Sequence, residues 1–308
     1  MTDIHEAGRN IYFIDDDLYS IPGSGCVYLL AEEQKALIDS GPATSSELIL
    51  QTIRDLGYQA EDIDYLILTH IHLDHAGGAG TLLKSMPRAK VVAHHRAIRH
   101  LVDPTRLVLS ALAAQGEGSG SRNGEMLAIP TERLIAVKGG DVLKLSETQT
   151  LTFLECPGHA PHELVISESQ ERGLFVGDAV GHHIPGTEVM VPVTPPPSFD
   201  FELYVQTLNR LMGLSASRIY FAHCGASDRV QVLLELALRK LMERDKIIAD
   251  CAAENNLDSA TEKLFNHICS ELAFLKQNRK ALYDYWVNVD IRMSAAEHVR
   301  YYRKKHGV

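Results

Sequence analysis

The sequence is organised around residues 68–80, LTHIHLDHAGGAG. An apolar run directly before this stretch predicts a buried strand, and the pattern after its glycines predicts a helix. The loop between them holds four side chains of ligand type within six positions: His70, His72, Asp74 and His75. Imidazole nitrogen and carboxylate oxygen suit zinc, iron and manganese, and a loop can direct alternate side chains at one point. The stretch therefore predicts a metal site on a strand-to-helix loop.

Three later segments repeat this arrangement, in which an apolar run leads to a residue of ligand type. These residues are His159 in CPGHAPHE, Asp178 in LFVGDAV and His223 in IYFAHCG. Together with IDSG at 38–41 and the motif at 70–75, the segments resemble, in order, the five motifs of the metallo-β-lactamase superfamily of metallo-hydrolases. The resemblance covers about residues 10–230.

The resemblance implies a centre with two divalent metal ions. His70, His72 and His159 would hold the first ion, Asp74, His75 and His223 would hold the second, and Asp178 would bridge both. Two such ions about 3.5–4 Å apart share a water, and the hydroxide formed at neutral pH attacks a carbonyl carbon. Asp74 is the implied catalytic residue that orients this nucleophile, and Asp39 and His162 would hydrogen-bond ligand imidazoles. Zinc is expected first, and iron and manganese fit the same ligand types.

The strand pattern predicts a mixed α/β fold. A first set of apolar runs lies before residue 94, and the second set is 134–137, 142–145, 151–154, 164–167 and 174–176. Two successive strand sets that feed helices resemble the superfamily's four-layer αβ/βα sandwich, whose two sheets pack face to face. We expect a metallo-β-lactamase-like catalytic domain at 1–230 and a C-terminal helical extension at 231–308, where leucines recur at helical spacing. The extension is interpreted as a packing and homodimerisation element, with substrate recognition as the alternative.

Composition limits the partners and the location that we expect. The 308-residue chain carries a net charge of −10, which disfavours binding to nucleic-acid phosphates. It holds no apolar run of the roughly 18 residues that a transmembrane helix needs. Its first ten residues, MTDIHEAGRN, lack the basic and apolar regions of a secretory signal. We therefore expect a cytoplasmic protein with a small-molecule substrate and neither a nucleic-acid nor a membrane partner.

Several residues near these motifs occupy no ligand position of the family. His94, His95 and His100 are interpreted as structural residues, with substrate contact as the alternative, and His182 and His183 are left open between cleft and solvent. The odd number of widely spaced cysteines predicts reduced thiols: Cys26, Cys156, Cys224, Cys251 and Cys269. Cys156 and Cys224 adjoin ligand segments and are interpreted as small buried side chains, with ligand or redox roles as alternatives.

Three loops complete the set of predictions. Asp15, Asp16 and Asp17 predict a solvated turn, because the glycine and distal glutamate of an EF-hand loop are missing. Residues 115–125 are rich in glycine and serine and predict a flexible loop, with a slight preference for a lid. Residues 192–197, PVTPPP, predict a rigid connection that shapes the substrate pocket, as a segment at this place does in the superfamily.

Taken together, the motifs favour a metal-dependent hydrolase of the glyoxalase II-like branch that cleaves a small ester, thioester or lactone. Two alternatives stay open. One is a mononuclear iron persulfide dioxygenase that uses a His-His-Asp subset, and the other is a non-catalytic ligand-sensing or regulatory protein on the same fold. Flavodiiron relatives typically carry glutamate where this chain has His72, so oxygen or nitric-oxide reduction is disfavoured. A nuclease is least favoured, because of the charge.

Overall fold

The computed structural model describes residues 5–115, 119–185, 187–223 and 225–308. Within them the chain forms two compact units. The first unit contains the described residues up to Glu155, together with His162–Gly177 and Ala216–Arg229. The second unit contains Cys156–Pro161, Asp178–Ser215 and Val230–Val308. The second unit thus takes two earlier segments besides the C-terminal helices, and a separate domain at 231–308 stays a prediction.

Seven strands form the first sheet, which lies in the first unit and follows chain order from edge to edge. Their bounds are β1 His5–Gly8, β2 Ile11–Asp15, β3 Cys26–Ala31, β4 Lys35–Ile38, β5 Ile63–Ile67, β6 Lys90–His94 and β7 Leu134–Val137. Strands β1 to β4 are antiparallel, and β4 to β7 are parallel. Parallel neighbours need a crossover connection, and the histidine-rich loop begins the crossover after β5.

A second sheet of the first unit has the strand order β15-β14-β11-β10-β9-β8. The bounds of the remaining strands are β8 Val142–Lys144, β9 Thr150–Glu155, β10 Leu164–Glu168, β11 Gly173–Phe175, β12 His182–His183, β13 Met190–Val191, β14 Arg218–Phe221 and β15 Gly225–Ser227. Strands β12 and β13 pair with each other in the second unit. The prediction that 134–137 belongs to the second strand set is wrong, because β7 pairs in parallel with β6.

The two sheets pack face to face around an apolar core. From the first sheet, Tyr28, Ile38 and Ile67 enter this core, and Phe153 and Phe175 enter it from the second. On the other face of the first sheet, apolar residues of the strands pack against the helices of the unit. Strands that are buried on both faces read as continuous apolar runs, which explains why the sequence pattern located them. The predicted α/β sandwich is confirmed.

The helices of the first unit are short and lie mainly in the crossovers. Their bounds are α1 Ser46–Asp55, α2 Leu73–Ala76, α3 Ala79–Leu82, α4 Ile98–Val102, α5 Thr105–Gln115 and α6 Ser119–Asn123. The predicted flexible loop at 115–125 is wrong for α6, and residues 116–118 lie outside the described residues. Side-chain contacts hold α6 in place, since the Thr44 hydroxyl donates to the Arg122 carbonyl and the Tyr19 hydroxyl donates to Asn123 Oδ1.

The second unit is mostly helical. Its helices are α7 Phe201–Met212, α8 Val230–Ala253, α9 Ala260–Glu271, α10 Leu275–Asn278, α11 Lys280–Tyr285 and α12 Arg292–His306, with a π-helical turn at Trp286–Ile291 between the last two. Leu234 and Leu241 of α8 are fully buried, as the leucine spacing predicts. The Arg244 side chain, also on α8, is buried and donates to the Pro192 carbonyl. Among the described residues, no helix is both long and apolar enough to cross a bilayer.

Candidate metal centre

The histidine-rich loop connects β5 to α2 in a conformation that packs it against the Asp39–Gly41 turn. Strand β5 ends at Ile67, and α2 begins at Leu73, so both loop histidines lie between the two elements. Gly78 donates its backbone N–H to Gly41 O at 2.9 Å. A Cβ atom at Gly78 would lie only 2.6 Å from Ser40 O, so a larger residue would push the two segments apart. The absence of a side chain at Gly78 therefore allows this close approach of the two backbones.

Asp39 fixes the orientation of one predicted ligand. Its backbone adopts the left-handed region, with φ 62°, and its side chain is 3% exposed. The carboxylate accepts the backbone N–H of Thr69 at 2.8 Å and faces Nδ1 of His75 at 2.9 Å. Because a carboxylate only accepts, His75 Nδ1 carries the proton, and the lone pair of this imidazole lies on Nε2. Asp39 thus makes the imidazole contact that the resemblance implies.

His223, His75 and Asp74 form a cluster of donor atoms in the first unit. His223 Nδ1 donates to Ser24 O at 2.8 Å, so its lone pair also lies on Nε2. The two Nε2 atoms are 3.4 Å apart, and Asp74 Oδ2 lies 3.8 Å from each of them. Two lone pairs cannot hydrogen-bond each other, but both can bind a cation. Nitrogens about 2.05 Å from one tetrahedral zinc ion lie roughly 3.4 Å apart, so the donor set fits a metal ion.

His70 and His72 form a second pair of facing imidazoles, with His70 Nε2 at 3.0 Å from His72 Nδ1. On the far side of the His70 ring, Nδ1 lies 3.2 Å from Thr69 Oγ1 and 3.4 Å from Glu163 Oε2, and the Glu163 side chain is buried. Sequence reasoning missed Glu163, although a glutamate at the start of an apolar strand is the signal that could have found it. The ring of His162 lies beside both imidazoles, with centroid distances of 6.3 Å to His70 and 6.0 Å to His72.

The second unit places the remaining two predicted ligands together. His159 Nδ1 donates to Val193 O at 3.0 Å, which leaves the lone pair on Nε2, 3.4 Å from Asp178 Oδ2. Gly158 adopts φ 143°, and a Cβ atom there would lie 2.4 Å from the Tyr204 Cα atom. The Tyr204 hydroxyl in turn donates to the Asp178 carbonyl at 3.0 Å. Helix α7 therefore supports both His159 and Asp178.

The acidic turn at 15–17 is not uniformly solvated. Asp16 is 2% exposed, and the prediction of a solvated turn is wrong for this residue. Its carboxyl group accepts the backbone N–H of Leu18 at 3.1 Å and lies where a Cβ of Gly25 or Gly41 would stand. Burial, reinforced by the charge of Asp15, raises the pKa of Asp16 to about 8. No sequence pattern indicates this burial, because the segments that cover Asp16 are separated from it along the chain.

His94 and His95 stand near Glu155 in the first unit. The Arg96 backbone N–H donates to His94 Nδ1 at 3.1 Å, so His94 Nε2 carries the proton and donates to Glu155 Oε1 at 3.2 Å. Burial lowers the pKa of His94, and this keeps the ring neutral. With both ring nitrogens engaged, His94 has no lone pair for a metal, in line with its interpretation as a structural residue.

Two further histidines, His182 and His183, lie in the second unit. His182 Nε2 is 3.6 Å from Asp178 Oδ1, and its ring packs beside Trp286 at a centroid distance of 5.5 Å. His183 Nε2 lies 3.2 Å from Thr187 O. Both side chains are buried, so neither is a solvent-facing residue. Cys156 is also buried, and Cys224 lies outside the described residues.

Known proteins resemble this chain over most of its length. The family model described as "Metallo-beta-lactamase superfamily" matches residues 21–223. The curated "Metallo-beta-lactamase fold-containing protein ST1585" of Sulfurisphaera tokodaii is 26% identical over 281 residues, which cover 89% of this chain and 99% of that protein. A fungal "Atrochrysone carboxyl ACP thioesterase" from Pseudocercospora fijiensis is 22% identical over 238 residues, which cover 77% of this chain and 58% of that enzyme.

Solved structures show the same fold. The archaeal metallo-β-lactamase superfamily protein ST1585 from Sulfolobus tokodaii has a TM-score of 0.62 at 25% identity, with 77% of this chain and 86% of that chain covered. The metallo-β-lactamase family protein TTHA1429 from Thermus thermophilus has a TM-score of 0.66 at 19% identity, with coverages of 97% and 94%. The second likeness supports the fold alone.

Proposed function

The chain belongs to the metallo-β-lactamase superfamily, and from this premise we propose that it is a metal-dependent hydrolase of a small ester, thioester or lactone. The observation that carries the proposal is the cluster of His75, His223 and Asp74. Two imidazoles direct their Nε2 atoms at each other beside a carboxylate, an arrangement in which one metal ion could bind all three groups.

The proposed ligand assignment follows the order of the family motifs. In this proposal His70, His72 and His159 would hold the first ion, Asp74, His75 and His223 would hold the second, and Asp178 would bridge both. The contacts that orient three of these imidazoles support the assignment. Asp39 fixes His75, the Ser24 carbonyl fixes His223, and the Val193 carbonyl fixes His159. A pair of divalent ions supplies an activated water at neutral pH and polarises a carbonyl oxygen. Zinc is the first choice for these ligand types, and iron and manganese are tested beside it.

Asp74 is the proposed catalytic residue. Its side chain is 20% exposed, whereas those of His75 and His223 are 2% and 5% exposed. Among these three ligands, Asp74 alone has appreciable access to solvent. It can therefore orient a nucleophilic water and exchange a proton with solvent, tasks that the buried histidines cannot share.

A thioester is the first substrate class to test. The fungal thioesterase supports it, although this chain spans only 58% of that enzyme's length. The net charge of −10 supports a small molecule over a nucleic acid as the substrate. Homodimerisation through the C-terminal helices and a cytoplasmic location stay proposals beside this one, and the molecular mass in solution tests the first of them.

The test measures metal content and turnover together. The chain is loaded with zinc, iron or manganese, and hydrolysis of a thioester, an ester and a lactone is followed in the wild type, in Asp74→Ala and in His223→Ala. His100→Ala is the matched control, because it removes a histidine outside the proposed ligands. We expect about two ions per wild-type chain, fewer in His223→Ala, and turnover at least a hundredfold lower in both site variants.

Three results would overturn the proposal. Unchanged hydrolysis after Asp74→Ala, in a chain that has lost metal, would exclude the mechanism. A single bound iron with oxygen uptake on glutathione persulfide would favour the dioxygenase instead. Metal retention with no turnover on any of the three substrates would favour a ligand-sensing protein.

A further inference from the structure

The first unit contains a cavity of about 330 Å³ that none of the proposed metal ligands lines. It lies between the turn that carries Asp16, Asp17 and Tyr19, the start of α1, and helix α6, which contributes Arg122. Small-molecule sites span roughly 300–1,000 Å³, so this volume suits a compact ligand. The walls are unusually polar for their size, since they include two carboxyl groups, one guanidinium and several hydroxyls.

Arg122 supplies the feature that points to a ligand. Its Nε and Nη2 atoms are buried, and neither has a hydrogen-bond partner within the described part of the chain. These two nitrogens lie on the same edge of the guanidinium, the edge that binds a carboxylate through two parallel hydrogen bonds. Burying such donors without an acceptor is costly. The arrangement is therefore suited to an acceptor that enters the cavity.

The guanidinium is positioned by contacts that leave this edge available. Its carbon lies 5.9 Å from the ring centroid of Tyr19, within the range of a cation–π contact. The Tyr19 hydroxyl donates to the Asn123 side chain at 3.0 Å, and the Thr44 hydroxyl donates to the Arg122 backbone carbonyl at 2.9 Å, so both contacts fix α6 around it. Arg122 is thus held in place before any ligand arrives, and a ligand gains from this preorganisation.

The acidic residues of the cavity restrict the ligand further. Neither Asp16 nor Asp17 forms an ion pair with Arg122 within the described residues, although all three line the same space. Asp17 Oδ1 is buried and lacks a hydrogen-bond partner there, so it offers an acceptor for a hydroxyl. Burial raises the pKa values of both carboxyl groups. Asp17 Oδ1 accepts a hydrogen bond and cannot pair with a second anionic oxygen, so a monoanion with a hydroxyl group matches the cavity better than a dianion such as phosphate does.

We infer that this cavity is a binding site for a small hydroxycarboxylate, whose carboxylate pairs side-on with Arg122 and whose hydroxyl donates to Asp17. The carboxylate comes either from the acid end of the hydrolase substrate or from a separate small acid. The first source rests on the proposed function, and the second does not. The binding experiment below is independent of turnover, so its failure is distinct from the failure of the proposed function.

Equilibrium titration of the full chain with glycolate tests the inference. We expect wild-type binding in the millimolar range, and binding at least tenfold weaker in Arg122→Gln. Arg122→Lys keeps the charge but loses the paired donors, so its affinity should fall between the two. Arg54→Gln is the matched control, since Arg54 is a partly exposed arginine of α1 that pairs with Glu47, and it should bind as the wild type does. Asp17→Ala should weaken glycolate more than acetate.

Several outcomes would overturn the inference. Equal glycolate binding by the wild type and Arg122→Gln would place the acid elsewhere, for instance on bound metal. Equal binding of glycolate and inorganic phosphate at the same ionic strength would show that Arg122 attracts anions only through its positive charge. A melting temperature of Arg122→Gln far below that of the wild type would assign the side chain a structural role. In that case Arg122→Lys decides, because a glycolate affinity of this variant equal to that of the wild type would reject the paired contact.

Turnover separates the two sources of the carboxylate. If the acid end of the substrate binds here, Arg122→Gln raises KM at least tenfold for a thioester that carries a free carboxylate. The KM for its neutral methyl ester and both kcat values stay unchanged. If KM is unchanged for both while Arg122-dependent glycolate binding persists, the ligand is a separate acid.

Discussion

Asp39→Asn should reduce both the stability of the metal-free chain and its affinity for metal. The carboxylate accepts the Thr69 backbone N–H and the proton of His75 Nδ1 from its two oxygens. Asparagine keeps one oxygen and turns an NH2 group toward the other donor. One hydrogen bond to a charged group is lost, worth about 1.5–3 kcal/mol, and an unpaired donor remains in a buried site. We expect the free energy of unfolding to fall by about 2–4 kcal/mol.

Urea unfolding in the presence of a chelator measures this loss without the contribution of bound metal. Competition with a coloured chelator then measures metal affinity, for which the loss of a residue behind a ligand histidine predicts about a 10–100-fold decrease. Asp55→Asn is the matched control, because Asp55 is an exposed aspartate that accepts one side-chain hydrogen bond from Gln51. The reasoning is refuted if Asp39→Asn unfolds at the wild-type urea concentration and binds metal with unchanged affinity.

Three further predictions concern other groups. Glu163→Gln should weaken metal binding about tenfold, measured by the same competition, because it removes the negative charge that lies 3.4 Å from His70 Nδ1. Gly158→Ala should lower the free energy of unfolding by at least about 2 kcal/mol in thermal melts, because its Cβ would collide with Tyr204. Asp16→Asn should raise the free energy of unfolding of the chelator-treated chain above that of the wild type. This difference should grow as the pH rises from about 4 to about 8. A raised folded-state pKa means that the unfolded chain releases the Asp16 proton first, so wild-type stability falls through this window by at most about 1.4 kcal/mol per pH unit.

The sheets could largely be predicted because strands such as β3 and β10 are buried on both faces. Apolar runs such as CVYLLA in β3 and IYF in β14 mark such strands without any alignment. The pattern could not decide which sheet takes β7, because a parallel partner is chosen by the crossover and not by the strand's own residues. Helix α6 was missed for a related reason, since glycine and serine predict a loop, whereas contacts from Tyr19 and Thr44 hold a helix.

The ligand types could also be predicted, but not the atoms that support them. Clustered histidines and an aspartate after a strand indicate a metal site from the local sequence alone. The acceptors that set the imidazoles are Ser24 O for His223, Val193 O for His159, Asp39 for His75 and Thr69 Oγ1 for His70, and two of these are backbone carbonyls that no sequence pattern reveals. The burial of Asp16 is hidden in the same way, because it follows from packing with Gly25 and Gly41.

The nature of these acceptors bears on the number of metal ions. A carboxylate behind an imidazole raises its basicity more than a neutral carbonyl does. Each proposed ion has one histidine beside a buried carboxylate. For the first ion it is His70, whose Nδ1 lies 3.4 Å from Glu163 Oε2, and for the second it is His75, which pairs with Asp39 at 2.9 Å. In a dinuclear centre, Glu163→Gln and Asp39→Asn should therefore each lower the metal content at a limiting metal concentration from about two ions per chain toward one. In a mononuclear centre at the first position, Glu163→Gln would reduce the metal content more than Asp39→Asn, which reaches His70 only through the Thr69 hydroxyl. The relative loss in the two variants therefore separates the hydrolase from the dioxygenase without a substrate.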